Sequence, residues 1–309
     1  MWDAYRKHSF RCWEGLCNPV ETLVPDAMLE PLFAGLRSAG FKFNHQALSS
    51  MQAGLEAAGG WPWEKTLEFV TQVWDDVGGQ AYRALFETRL AEKPMRAYPA
   101  DQSPHMKSGG DCDENGIRFR ANKSILDPVY MAHESGHLVA VRDGICDANV
   151  NELQAFFVQE AAYNRLQGVC AYSKAAWVQR LYDLFTIACK IDMNVWLLKA
   201  DVMRMRSVDG KQRRGVIYLH RHGFAGVLAS AMYRNFWGMS AQAREDALGV
   251  LFGGATRAKL PIIMQTFGFS RPDDFYAAGR YTGNLMRRAV QECGLVTPFQ
   301  AGAPKPGMA

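Results

Sequence analysis

Two histidines and a glutamate stand at a spacing that can bind and use a metal ion. They lie in the segment His133-Glu134-Ser135-Gly136-His137. On an α-helix, residues four apart share one face, so both imidazoles can reach one Zn²⁺ at about 2.0–2.1 Å. Glu134 then lies beside the metal and can act as the general base that activates zinc-bound water. The segment therefore predicts a hydrolytic centre with Zn²⁺ as its cofactor.

A catalytic zinc centre also needs a third protein ligand and an open position for water. The candidates are Glu152 and Glu160, in the mostly apolar helical stretch that follows the motif. We favour Glu152 in the first turn, whereas Glu160, about two turns later, would support the site or form an ion pair. The small residue Ala155 would let the two helices approach closely. A carboxylate near Phe156 and Phe157 needs a polar partner.

A second group of polar residues precedes a late apolar helix. It contains Tyr218, His220 and His222. A Tyr hydroxyl or a His N–H held near the metal would stabilise the negative tetrahedral oxygen that forms during hydrolysis. Tyr218 and His220 are therefore further catalytic candidates, and His222 stays open for the same role. The alternative interpretation is a polar loop with ordinary hydrogen bonds.

The composition is that of an ordinary folded protein. Of the 309 residues, 48% are hydrophobic and 21% are charged, which argues against disorder. The net charge of +4 is too small to indicate a nucleic-acid partner. Seven scattered cysteines without a C-x-x-C pair indicate reduced thiols. Neither an apolar signal core nor a long apolar run occurs, so we expect a cytoplasmic protein without a membrane partner, with export by a route lacking a cleaved signal left open.

Helical periodicity dominates the chain, so the predicted fold class is mainly α. The predicted helices are 26–40, 45–58, 62–76, 79–92, 126–142, 149–167, 172–206, 221–238, 240–256, 257–267 and 272–293. Pro and Gly predict a loop or linker at 93–115, and alternation predicts a lone or edge strand at 117–122. Residues 207–215 are basic and are predicted to form an exposed loop. The linker predicts an N-terminal helical region, 1–110, and a catalytic domain, 111–309.

Several stretches of the sequence occur in the same order and at roughly the same spacing as the motifs of a known family. Met-Ala-His-Glu-Ser-Gly-His at 131–137 looks like its metal signature, and the stretch 152–160 looks like its ligand helix. Three later stretches are also similar to parts of that family: 226–236 to a helix that begins with Gly, 251–255 to a Gly-Gly turn, and 268–275 to a Pro-x-Phe ending. Over about residues 115–293, the chain thus resembles the M3 family of zinc oligopeptidases, in particular the oligoendopeptidase F branch.

The resemblance implies a multi-helical, zincin-type metallopeptidase domain with a cleft. In it, His133, His137 and Glu152 would bind Zn²⁺, and the glutamate of the motif would be the base. Tyr218 or His220 would take the place of the residues that stabilise the oxyanion. The segment before the motif is shorter than is usual in that family, so the substrate size limits of the family do not carry over.

The predicted activity is hydrolysis of peptide bonds in a peptide or protein substrate by a zinc metallopeptidase. One alternative is a zinc hydrolase that acts on a non-peptide or specialised substrate. Another is an interaction protein that retains the scaffold with a degenerate site. Glu134 disfavours the last alternative, because this residue has no role in holding zinc.

Overall fold

A computed structural model describes residues 24–40, 43–59, 61–93, 95–99, 110–113, 116–121, 123–140, 148–204, 210–253 and 260–295. Its helices are α1 (Asp26–Ser38), α2 (His45–Ala57), α3 (Trp63–Glu92), α4 (Asp127–Ala140), α5 (Ala148–Gly168), α6 (Cys170–Arg204), α7 (Gly210–Trp237), α8 (Ala241–Phe252), α9 (Leu260–Thr266) and α10 (Pro272–Glu292). Its strands are β1 (Met95–Pro99), β2 (Gly110–Asp113) and β3 (Gly116–Ala121). The prediction of a mainly α protein is confirmed, and the cleft stays a prediction.

The helices follow the apolar periodicity of the sequence closely. A break was expected between the helical patterns 62–76 and 79–92, and α3 loses helical geometry there, at Gly78 and Gly79. Gly79 has a φ of 64°, in the region that favours glycine over residues with a Cβ. The start of α7 differs from expectation, since residues 210–215 were predicted as loop and are helical.

A small sheet occupies the segment that was predicted as a loop. β3 pairs in parallel with β1 and antiparallel with β2, so it is the central strand rather than a lone or edge strand. The loop prediction is therefore wrong over 95–99 and 110–113. β1 ends at Pro99 and β2 begins at Gly110, and Pro and Gly are residues typical of loops. The sequence alone therefore predicts no strand here, because the backbone hydrogen bonds of these short strands are made with β3.

The motif helix α4 packs against α3, α5 and the sheet. Trp74 of α3 is fully buried and donates its Nε1–H to Ser135 Oγ at 2.9 Å, within the motif itself. Strand β1 lies before residue 110 and pairs with β3 after it. The two predicted parts thus share a sheet and an apolar core, and their division into domains stays a prediction. Within the described residues, no helix is both long and apolar enough to cross a bilayer.

Candidate metal centre

Helix α4 presents the motif from a buried position. The helix begins at Asp127, whose carboxylate lies in the first turn and interacts favourably with the positive end of the helix dipole. Ser124 Oγ lies 3.4 Å from this carboxylate and accepts a hydrogen bond from the Leu126 N–H. These contacts fix the backbone just before the helix. Glu134 and His137 are buried, with 7% and 8% of their surface exposed. Side chains at these positions therefore need polar partners inside the protein.

A glycine lets α5 approach the motif helix. A Cβ placed on Gly136 would lie 2.6 Å from Ala155 Cα, which is too close for any side chain. The close approach predicted for Ala155 is thus present, with Gly136 opposite it. It brings Glu152 to the motif, where its Oε2 lies 3.7 Å from His133 Nε2.

The Glu152 carboxylate has an oxygen without a hydrogen-bond partner. Its Oε2 is inaccessible to solvent and accepts no hydrogen bond in the structure. A buried carboxylate oxygen is costly to desolvate unless a hydrogen bond, an opposite charge or a metal compensates it. This atom is therefore the clearest sign that the site could hold a cation.

The hydrogen bond made by Nδ1 of His133 sets which of its ring nitrogens can bind a metal. Nδ1 lies 2.8 Å from Gln159 Oε1, and an amide oxygen can only accept a hydrogen bond. Nδ1 thus carries the proton and Nε2 carries the lone pair that faces Glu152. Burial lowers the pKa of His133 well below 6.5, and the neighbouring His137 and His222 lower it further. The ring is therefore neutral at pH 7, as a metal ligand must be.

A buried polar network fixes the orientation of the Gln159 amide. Its Nε2 donates to Asp183 Oδ2 at 3.1 Å and to the Tyr163 hydroxyl at 3.2 Å, so its oxygen must face His133. The Tyr163 hydroxyl also donates to Asp183, and Gln179 Nε2 donates to Asp183 Oδ1 at 2.7 Å. Burial raises the pKa of Tyr163 well above 10, and Asp183 adds to the rise, so the hydroxyl keeps its proton. Outer partners of this kind orient metal-binding histidines.

The second histidine of the motif has a similar amide partner. His137 Nδ1 lies 3.0 Å from Asn151 Oδ1, and Asn151 directly precedes Glu152 in α5. An oxygen acceptor at this point again leaves the proton on Nδ1 and the lone pair on Nε2. The rings of His133 and His137 are nearly perpendicular, with centroids 5.0 Å apart. With these amide oxygens as acceptors, both motif histidines have the tautomer in which Nε2 can bind a metal.

Helix α7 adds a third histidine. The side chains of His133, Glu152 and His222 each have a ligand atom within 4.8 Å of the other two. Phe156 packs edge-on against both rings, with centroid distances of 4.7 Å to His133 and 4.6 Å to His222. Two imidazoles and one carboxylate form a donor set that fits Zn²⁺. His137 does not belong to this group of mutually close atoms.

Glu160, the alternative third ligand, lies in a different environment. It forms a buried ion pair with Arg180 and accepts a hydrogen bond from Ser230 Oγ at 2.8 Å. Burial raises the pKa of its carboxyl, and the guanidinium and the hydroxyl partly offset that rise. Because these partners satisfy its carboxylate, Glu160 connects α5 with α6 and α7, and Glu152 is the carboxylate beside His133.

Some predicted residues are located and others are not. Tyr218 and His220 fall on the backbone of α7, and their side chains lie outside the described residues. Gln159, Asp183 and Asn151 were not foreseen. A signal for the first two exists in the sequence, because polar residues recur four apart on apolar helices, as Gln159 and Tyr163 do in α5 and Gln179 and Asp183 do in α6. A comparison of the chain with protein-family models, curated proteins and solved structures finds no match.

Proposed function

We propose that this protein is a zinc-dependent metallopeptidase of the M3-like kind, acting on a peptide or protein substrate. The observation that carries the proposal is the buried, unbonded Glu152 Oε2, 3.7 Å from the His133 nitrogen that bears the lone pair. His133 and Glu152 would hold the metal, and His137 would be the further imidazole that the motif implies. Retention of Glu134 between these ligands supports a hydrolase over a structural zinc protein.

The proposed reaction assigns a proton-transfer role to Glu134. When bound, zinc supplies Lewis-acid chemistry, polarising the carbonyl of the scissile bond and lowering the pKa of a water. The Glu134 carboxylate accepts a proton from the attacking water and then delivers it to the nitrogen of the leaving amine. Glu134 is 7% exposed, so bulk water has little access to its side chain. Tyr218 or His220 would donate a hydrogen bond to the tetrahedral oxygen.

The ligand histidines depend on their amide partners in this mechanism. Gln159 and Asn151 hold the Nδ1 protons of His133 and His137, so the Nε2 lone pairs stay available without a change of tautomer. Because the Gln159 amide is uncharged, it orients the His133 ring without removing the proton from Nδ1. The site is thereby organised before the metal arrives.

A peptide-hydrolysis assay tests the proposal. Purified protein loaded with zinc is incubated with a library of internally quenched peptides and with unfolded proteins, before and after removal of the metal by a chelator. We expect hydrolysis that the chelator abolishes and that zinc restores. Glu134→Gln should bind zinc and lose the activity, because the amide cannot accept the proton. Glu87→Gln, an exposed carboxylate in an ion pair with Arg83 on α3, is the control that should keep it.

The ligand assignment has a matched test within one helix. Glu152→Gln and Glu160→Gln carry the same substitution on α5, and only Glu152 lies beside His133. Zinc occupancy should fall in Glu152→Gln and persist in Glu160→Gln. The reverse result would move the ligand to Glu160. Zinc binding without hydrolysis of any peptide would instead favour a non-peptide substrate.

A further inference from the structure

We infer that His222 binds the metal directly, so that α4, α5 and α7 each supply one ligand: His133, Glu152 and His222. The inference rests on the proposed zinc site and changes its ligand set. The sequence motif does not contain His222, which lies far along the chain, and the resemblance implies His137 at that place. The three ligand atoms that lie within 4.8 Å of one another include none from His137.

The packing of α7 against α5 explains how His222 reaches the site. A Cβ on Gly226 would lie 2.5 Å from Ile187 Cδ1 and 3.4 Å from the Phe156 ring, so α7 runs close to α5 at this glycine. His222 precedes Gly226 by one helical turn and therefore lies on the same face. Glu152 precedes Phe156 by one turn in the same way. The two helices thus align His222 with Glu152, and Phe156 packs against the His222 ring.

The separations fit ligation with a small contraction. Ligands of a tetrahedral zinc with bonds of about 2.1 Å lie about 3.4 Å apart. His133 Nε2 and Glu152 Oε2 are 3.7 Å apart, and the donor atom of His222 lies within 4.8 Å of each. The rings of His133 and His222 have centroids 6.1 Å apart, so a modest approach of the His222 side chain completes the set.

Two roles for His222 have different consequences. A histidine that only stabilises the tetrahedral oxygen touches the substrate, so its loss lowers kcat and leaves zinc affinity unchanged. A ligand histidine holds the metal in the absence of substrate, so its loss weakens zinc binding. Loss of an outer partner of a metal ligand alone costs about 10–100-fold in affinity, and loss of a ligand costs at least as much.

Zinc affinity in competition with a chromogenic chelator distinguishes the two roles. The full chain is compared with His222→Ala, with circular dichroism and thermal unfolding to show that both are folded. We expect the zinc dissociation constant to rise at least about 100-fold in the variant. His45→Ala is the control. His45 is on α2, where its ring packs against those of Phe43 and Phe185, and its substitution should leave the zinc dissociation constant unchanged.

A cysteine at the same position gives a direct readout of contact with the metal. His222→Cys loaded with Co²⁺ should show a near-ultraviolet charge-transfer band from a thiolate bound to cobalt, since Cys is itself a ligand for such metals. The unsubstituted protein, which contains the same seven other cysteines, should lack the band.

Three results have distinct meanings. Weakened zinc binding in His222→Ala together with the new band in His222→Cys supports the inference, whether or not peptides are cleaved. Unchanged zinc affinity in His222→Ala, with no band in His222→Cys, overturns it and leaves the proposed peptidase standing. Failure of the unsubstituted protein to bind zinc overturns both.

Discussion

Gln159→Leu should change the tautomer of His133. The substitution removes the Oε1 acceptor 2.8 Å from Nδ1 and removes the Nε2 donor to Asp183. The imidazole of free histidine favours a proton on Nε2, so without Gln159 the proton should move to the nitrogen that faces Glu152. Nε2 then has no lone pair for a metal, and zinc binding must reverse this preference.

The size of the effect follows from the contacts that are lost. Removing an outer partner of a metal-binding histidine costs about 10–100-fold in affinity, or about 1.4–2.8 kcal/mol. Asp183 also loses a charge-assisted hydrogen bond, which is worth about 1.5–3 kcal/mol in the free energy of unfolding. The variant should therefore be less stable without metal and should also bind zinc more weakly.

Two assays measure these quantities separately. Long-range ¹⁵N NMR of protein labelled at its seven histidines reports which ring nitrogen of His133 carries the proton, and chelator competition gives the zinc dissociation constant. Gln154→Leu is the matched control: Gln154 is also on α5 and also 5% exposed, and its Nε2 donates to the Leu251 carbonyl. It should lose stability and keep both tautomer and affinity. An Nδ1–H tautomer and unchanged zinc affinity in Gln159→Leu would refute the reasoning.

Three further predictions concern packing and charge in the interior of the protein. Gly136→Ala should destabilise the protein by about 1–3 kcal/mol in urea titrations, because its Cβ would collide with the backbone of α5. Arg180→Ala should cost about 3–5 kcal/mol near neutral pH by leaving the Glu160 carboxylate buried without an opposite charge. Burial raises the pKa of Cys293 to about 11, so mass mapping should find this thiol unmodified by iodoacetamide at pH 7.5 until the chain is unfolded.

Each of these has a control or a contrary outcome. Gly54→Ala, at an exposed position of α2 with open space around it, should instead stabilise by up to about 1 kcal/mol, and a similar gain in Gly136→Ala would refute close packing. The deficit of Arg180→Ala should shrink as pH falls toward and below the raised pKa of Glu160, because the neutral carboxyl no longer needs the guanidinium. A deficit independent of pH, or rapid alkylation of folded Cys293, would contradict the account.

The elements of the fold were largely predictable because each helix carries its own apolar periodicity. The break in α3 is also local, since it depends on two adjacent glycines. The strands β1 and β2 were not predictable, because each is short and is stabilised by a partner, β3, that the local sequence does not reveal. The helical start of α7 at Gly210 was missed because its charged residues resemble a loop.

The candidate site divides in the same way between local and long-range information. The histidine spacing and the small Ala155 are local features, and the structure places Glu152 beside His133. The partners Gln159 and Asp183 depend on how α5 meets α6, and His222 depends on how α7 meets α5. The distance along the chain from Glu152 to His222 carries no signal of their proximity, since Gly226 and Phe156 set the contact only in the folded protein.

Metal content tests the central claim most directly. Unsubstituted protein and His133→Ala are purified without chelator, supplied with zinc, freed of excess metal and analysed for zinc by elemental analysis, with circular dichroism to confirm folding. The account predicts about one zinc ion per chain in the unsubstituted protein and its loss in His133→Ala, since this residue faces the buried Glu152 oxygen. Folded, zinc-supplied protein that holds no metal would contradict the account.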